Sequence, residues 1–105
     1  MTSLSKRQYR NKIQITADIL ELAKQGSCKT RIMYLGNLSF DLVQKYLKQL
    51  EELELVEVKG GKGERTYNIT PRGLEFLSDY YELQKHSEIA SSKKQTLEDI
   101  LRTHP

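Results

Sequence analysis

The side chains in this sequence whose types and spacing could do chemistry are groups that grip a polyanion. The densest set runs from Ser39 to Lys48, with a hydroxyl at Ser39, an amide at Gln44 and ammonium groups at Lys45 and Lys48. On a helix, at about 100° per residue, Asp41, Lys45, Lys48 and Glu52 share one face, flanked by Gln44 and Gln49. Such groups hydrogen-bond base edges and phosphate oxygens alike. Three further basic sets surround them: Lys29 and Arg31 just before, Lys62 and Arg65 with Lys59 in a glycine-rich stretch just after, and Arg10 and Lys12 near the start. The same residues also suit an ordinary solvated face, and Arg31 could equally pair with a nearby acid.

Bond-making chemistry finds no comparable set. His86 and His104 are far from each other and from Cys28, and no HExxH or CxxC spacing occurs. Neither a metal site nor a nucleophile–base pair can be assembled from them. Glu51, Glu52 and Glu54 point several ways around a helix and read as solubility charges. Gly60, Gly61 and Gly63 hint at a phosphate cradle, but there is no GxxxxGK[ST] and no helix N-terminus follows, so these glycines serve a turn. The expectation is a non-enzyme with no cofactor, no metal and no small-molecule substrate.

The elements that must position the polyanion-binding groups can be read from the hydrophobic pattern. From Lys29 to Leu53 the sequence gives two helices around Gly36-Asn37-Leu38-Ser39, where Gly and Asn tolerate positive φ and Ser39 can cap. Phe40, Val43, Leu47 and Leu50, with Tyr46 beside them, predict a buried face for the second of these helices. The first is short, from about Thr30 to Leu35, with Thr30 as its cap and Ile32, Met33 and Leu35 packing inward. Ahead of it, Asn11 to Gln25 reads as a central helix carrying Ile13, Ala17, Ile19, Leu20 and Ala23, ended by Gly26. After it, Val56 with Val58 and Tyr67 with Ile69 alternate at period two around the glycines, which predicts a β-hairpin. A hairpin directly after a helix-turn-helix is a wing, with Lys62 and Arg65 at its tip.

Thr70-Pro71 then starts a helix, Thr70 capping and Pro71 in the first position. Phe76, Leu83, Ala90 and Leu97 recur every seven residues, with Tyr80, Ser87, Lys94 and Leu101 four residues on from each, a coiled-coil seam that is polar in its middle. Continuous helix to Leu101 would be about 45 Å long, more than a domain of this size can cover. The alternative is a break at Ala90-Ser91-Ser92 with Thr96 capping a short last helix; the continuous helix is preferred. The fold class expected is mainly α with a small β-hairpin, a winged helix-turn-helix over residues 1–70 with a basic N-terminal arm, then a dimerisation helix over 71–105.

The chain has 105 residues, enough for one small core. Its formal charge of +3 is unevenly spread: residues 1–35 and 58–72 are basic, residues 36–57 and 73–105 net acidic. This segregation implies one surface suited to a polyanion. The single cysteine, Cys28, forms no intramolecular disulfide, fits a reducing compartment and reads as a small semi-buried residue. No run reaches the roughly 18 apolar residues of a membrane span, so a cytoplasmic protein is expected.

The stretches KTRIMY at 29–34, NLS at 37–39, YL at 46–47 and TPRGLEFL at 70–77 resemble the archaeal winged-helix proteins typified by the ten-kilodalton "a" chromatin protein of Sulfolobus. KTRIMY with NLS is the most specific part. The resemblance implies a nucleoid-associated or transcription-regulating homodimer on double-stranded DNA, its C-terminal helices paired as an antiparallel coiled coil. It implies a recognition helix at Ser39 to Leu53, a wing at Lys59 to Thr66, and dimerisation through Phe76, Tyr80, Leu83, Ala90, Leu97 and Leu101. Asp41 departs from a phosphate-binding pattern unless it accepts from a cytosine amino group or pairs with Lys45. A second reading makes the chain a protein-interaction module docking through its C-terminal helix. The lysines and glutamines of the recognition face favour DNA over it, because a docking face would carry apolar or acidic anchors.

Overall fold

A computed structural model describes residues 10–61 and 63–103 of the chain. Its elements are α1 (Lys12–Ala23), α2 (Lys29–Leu35), α3 (Phe40–Glu52), β1 (Val56–Lys59), β2 (Thr66–Ile69) and α4 (Pro71–Thr103). The predicted order of three helices, a hairpin and a long helix is the observed one. Lys62, the arm residues Lys6 and Arg7, and His104 fall outside the described residues.

α1 opens on a capping box. The Gln14 amide N–H donates to the Asn11 side chain at 2.8 Å, and the Asn11 amide N–H donates back to Gln14 Oε1 at 3.0 Å. The helix ends at Ala23, two residues before the expected Gln25, and Gly26 turns the chain with φ 76°. Ser27 then pairs antiparallel with Tyr67: the Tyr67 amide donates to the Ser27 carbonyl at 2.8 Å and the Ser27 amide returns a bond of 3.1 Å. The buried Ser27 hydroxyl donates to the Leu22 carbonyl at 2.7 Å. These bonds tie the α1–α2 connection to the hairpin, so the wing is anchored to the helical core.

Ala17, Ile19, Leu20, Ile32, Val43, Tyr46, Leu47, Leu50, Leu55, Val56, Tyr67 and Leu77 form one buried cluster drawn from every element. Three residues expected to pack inward are outside: Leu35, the last residue of α2, is 53% exposed, Ile13 45% and Phe40 55%. Ile13 and Phe40 lie in the first turn of their helices, where the chain has only just reached the core and the flank of the helix is uncovered. The cap of α2 is also corrected. It is Cys28, not Thr30, with extended backbone and no side-chain hydrogen bond. Cys28 consequently faces solvent instead of being semi-buried.

Between α2 and α3 the left-handed conformation falls on Asn37, at φ 56°, and Ser39 caps α3 by accepting from the Leu42 amide at 3.2 Å. β1 and β2 pair antiparallel, Val58 opposite Tyr67 and Lys59 opposite Thr66. At the turn, Gly60 has φ 96° and a Cβ there would lie 2.1 Å from the Glu64 carbonyl, so only glycine closes this hairpin. Thr70 caps α4 as predicted, accepting from the Gly73 amide at 3.0 Å while its hydroxyl donates to the Glu54 carbonyl at 2.6 Å.

α4 runs unbroken for 33 residues, about 50 Å. Thr96 does not cap a new helix; its hydroxyl donates to the Ser92 carbonyl within the same one. The root of α4 belongs to the core, with Leu77 buried and Phe76 and Tyr80 packed partly against it. From Tyr81 to Arg102 every residue is exposed. The molecule is therefore drawn out to 69 Å along its longest axis against 32 and 19 Å across. Among the described residues, no helix is long and apolar enough to cross a membrane.

Candidate nucleic-acid interface

α3 buries Val43, Tyr46, Leu47 and Leu50, which turns Asp41, Gln44, Lys45 and Lys48 outward. These residues form one wall of an open groove of about 400 Å³ whose other sides are Lys29, at the start of α2, and Tyr67 of the wing. Gln44, Lys45 and Lys48 are thus brought together with Lys29 on one surface, while Ser39 caps the helix at its start. The Ser39 hydroxyl oxygen is engaged in capping but keeps its proton to donate. Asp41, at the N-terminal end of α3, complements the positive end of the helix dipole, which accounts for an acid among lysines.

Lys29 is held by two side-chain contacts. Its Nζ donates to Gln44 Oε1 at 2.8 Å and lies 5.7 Å from the centroid of the Phe40 ring. A hydrogen bond and a cation–π contact together hold the ammonium over the N-terminal end of α3. Arg31 and Lys12 are exposed on the first turns of α2 and α1. Arg65 is exposed at the foot of β2, and Lys59 pairs with Glu57 at 3.8 Å at the base of the hairpin. Lys62, the expected wing-tip cation, lies outside the described residues.

Arg10 is placed differently from the expectation that it lies along a phosphate. Its guanidinium is half-buried, pairs with Asp18 and donates to the Gly36 carbonyl at 2.8 Å. It clamps the helix-turn-helix turn to α1, and an arginine with both edges engaged this way has little left for a ligand. Asp18 acts a second time: burial, and secondarily the Asp18 charge, push the Tyr80 hydroxyl above its ordinary range.

The seam residues divide into two groups. Phe76, Tyr80 and Leu83, with Ile13 and Asp79, line an apolar groove of about 250 Å³ at the root of α4. Ala90, Leu97 and Leu101 stand exposed along the outer half, joined by Ile89 and Ile100, which the seven-residue spacing did not single out. Phe40, whose ring lies under the Lys29 ammonium at the edge of the site, is a residue that sequence reasoning assigned to the buried face instead. Its spacing continues the buried face of α3, so no local pattern signals its place beside Lys29.

Among solved structures, the chain is similar to Sso10a-2, a DNA-binding protein from Sulfolobus solfataricus. The TM-score is 0.76 at 29% identity, over 90% of this chain and 99% of that one. This agrees with the resemblance carried by KTRIMY, NLS and TPRGLEFL. Two Staphylococcus aureus proteins share the fold at lower identity. MepR in a DNA complex has a TM-score of 0.63 at 17% identity, over 99% of this chain and 87% of that one. MarR in complex with salicylate and kanamycin has 0.66 at 21%, over 96% and 75%. No curated protein matches the chain in sequence. The family described as "Winged helix-turn-helix" matches residues 9–88, from before α1 through the wing and into α4. By that match, and by the helix-turn-helix and hairpin just described, the chain belongs to the winged helix-turn-helix family.

Proposed function

We propose that the chain is a double-stranded DNA-binding protein, a regulator of transcription or a chromatin-associated protein, that acts as a homodimer in the cytoplasm or nucleoid. The observation that carries this reading is the polar groove. Gln44, Lys45 and Lys48 face outward along the recognition helix, beside Lys29 and next to the wing. A helix so furnished fits the major groove, its amide and ammonium groups on base edges and phosphates. Arg31, Lys12 and Arg65 would contact flanking phosphates, and Lys62 would do so from the wing tip. Similarity to Sso10a-2, described as DNA-binding, supports the same reading.

The dimer reading rests on α4. Residues from Tyr81 to Arg102 are exposed, and a helix without tertiary cover is marginal in water. Pairing with a second copy, antiparallel, supplies the cover. A register that sets Phe76 against the partner's Leu101 and Tyr80 against the partner's Leu97 also sets Ser87 against the partner's Ala90. The polar middle of the seam then becomes a close contact of small side chains. Lys94 faces the partner's Leu83 and reaches water with its ammonium. In this arrangement residues 1–70 are the DNA-reading module and 71–105 the dimerisation helix.

The test is titration of a fluorescent random-sequence duplex at several salt concentrations, beside a Lys45→Glu, Lys48→Glu, Arg65→Glu variant. If a dimer neutralises about six phosphates, log K falls with log salt at a slope near −5. Binding that weakens this steeply and is lost in the variant is the expected result. Absence of binding at low salt by the folded protein overturns the reading and leaves docking of another protein on α4 as the alternative.

A further inference from the structure

We propose that Phe40 is a specificity-determining residue that reads the 5-methyl group of thymine, so that recognition by this chain includes an apolar base contact beside its lysines and amides. The inference rests on the DNA-binding reading above and deepens it.

Phe40 is 55% exposed, while Val43 and Leu47, which continue its three- and four-residue spacing along the helix, are at 0% and 2%. Core packing therefore does not account for a phenylalanine here. The ring is nonetheless held in place. Lys29 Nζ lies 5.7 Å from its centroid and donates to Gln44 Oε1, and Gln44 stands one helical turn beyond Phe40 on the same side. Ring, ammonium and amide form one cluster at the N-terminal end of the recognition helix, the end from which such helices reach base edges. The thymine methyl is the apolar feature that the major groove offers, and phenylalanine is among the side chains that contact it. An exposed ring facing phosphate or sugar would gain little; facing a methyl group, it removes apolar surface from water on both sides. Gln44, released from Lys29 or sharing it with a phosphate, is placed to hydrogen-bond an adjacent adenine.

The experiment deletes the methyl and nothing else. Duplexes that the wild-type chain selects from a random-sequence pool are resynthesised with deoxyuridine at every thymine. Wild-type protein, Phe40→Ala and Phe40→Leu are titrated against both versions at one low salt concentration. The expected result is that wild-type protein binds the deoxyuridine duplex about three- to fourfold more weakly per contacted methyl. Phe40→Ala should bind both duplexes alike, and Phe40→Leu should retain part of the difference. Equal affinity of wild-type protein for the two duplexes overturns the inference, as does a difference that Phe40→Ala preserves, since DNA shape rather than the ring would then be responsible. Failure of the folded wild-type chain to bind any duplex overturns the DNA reading itself and takes this inference with it.

Discussion

Replacing Leu97 by aspartate should separate the proposed dimer into single chains. Leu97 is 62% exposed, Leu83 57% and Leu101 73%, so each has more than half its surface left for a partner to cover. Full burial of a leucine stabilises by about 1.5–3 kcal/mol, so covering the remaining part is worth about 1–2 kcal/mol per side chain. An aspartate facing the partner's Tyr80 forfeits that and adds the desolvation of a carboxylate, about 2 kcal/mol at each site. With the lost burial the cost is about 3–4 kcal/mol per site, so the pair of equivalent sites raises it to about 6–8 kcal/mol, roughly four to six powers of ten in the dimer Kd. Sedimentation velocity over a range of concentrations reads the change directly, and far-UV circular dichroism reads its consequence, since the unpaired outer half of α4 should lose helicity. Because Leu97 lies far from the core, the winged module should keep its own unfolding transition. A wild-type chain that sediments at the single-chain mass throughout, or a Leu97→Asp variant that dimerises as tightly as wild type, would refute the pairing.

Three further changes probe the parts that hold the interface in place. A Cβ at Gly73 would lie 2.3 Å from the Leu55 carbonyl and 2.6 Å from Ile69 Cγ1. Gly73→Ala should therefore lower stability by about 1–2 kcal/mol in urea melts, the clash outweighing the roughly 1 kcal/mol that alanine gains in helix propensity; a midpoint at or above wild type would contradict this. Arg10→Ala should cost about 1 kcal/mol of stability, through the lost bond to Gly36 and the partly exposed pair with Asp18, while the salt slope of DNA binding stays unchanged. A slope reduced by about two, one for each chain of the dimer, would return Arg10 to the phosphates. Tyr80 has its hydroxyl pushed above the ordinary tyrosine range by burial and by Asp18, so the folded state favours the neutral phenol. The associated stability is present below that range and is lost as pH rises through the raised value, so Tyr80→Phe should flatten the alkaline decline expected in thermal melts above about pH 10. Identical declines would remove Tyr80 as its source.

The order of elements was legible because each boundary carries its own chemistry. Ser39 caps α3 and Thr70 caps α4 where the sequence places them, and Gly60 sits where the hairpin needs a positive φ. The buried face of α3 followed from the spacing of Val43, Leu47 and Leu50. What the sequence could not supply was the outcome of competition between neighbours in space. Phe40 continues the apolar spacing of α3, yet it lies one turn before the core begins, and only the position of α2 decides that Lys29 covers it instead of a leucine. Arg10 has the composition of a phosphate contact, but its partners Asp18 and Gly36 are 8 and 26 residues away, beyond any local pattern. Cys28 became exposed because α2 starts two residues earlier than the threonine signal implied. The basic groove itself was legible residue by residue, since lysines and amides left over from a buried helix face can only point outward.

The long helix has a geometric consequence for DNA that can be measured. Its root is fixed to the wing, with Thr70 bonded to Glu54 and Gly73 seated against Leu55, so the recognition helix has a set position relative to the axis of α4. In the proposed antiparallel pairing Phe76 lies opposite the partner's Leu101. The two roots are then separated by the rise of the residues between, about 38 Å. One turn of duplex is about 34–36 Å, so the two modules can meet the same face of DNA one turn apart. Inserting one heptad between Ser91 and Ser92 preserves the seam and lengthens the separation by about 10 Å. Hydroxyl-radical footprints on a bound duplex should then show protected stretches about three base pairs further apart than with the wild-type chain, at roughly 3.4 Å per base pair. If the spacing of the footprints does not change, α4 is not the ruler between the two modules and the antiparallel arrangement is wrong. If it lengthens as computed, helix length in this chain sets the distance between the two sites it reads.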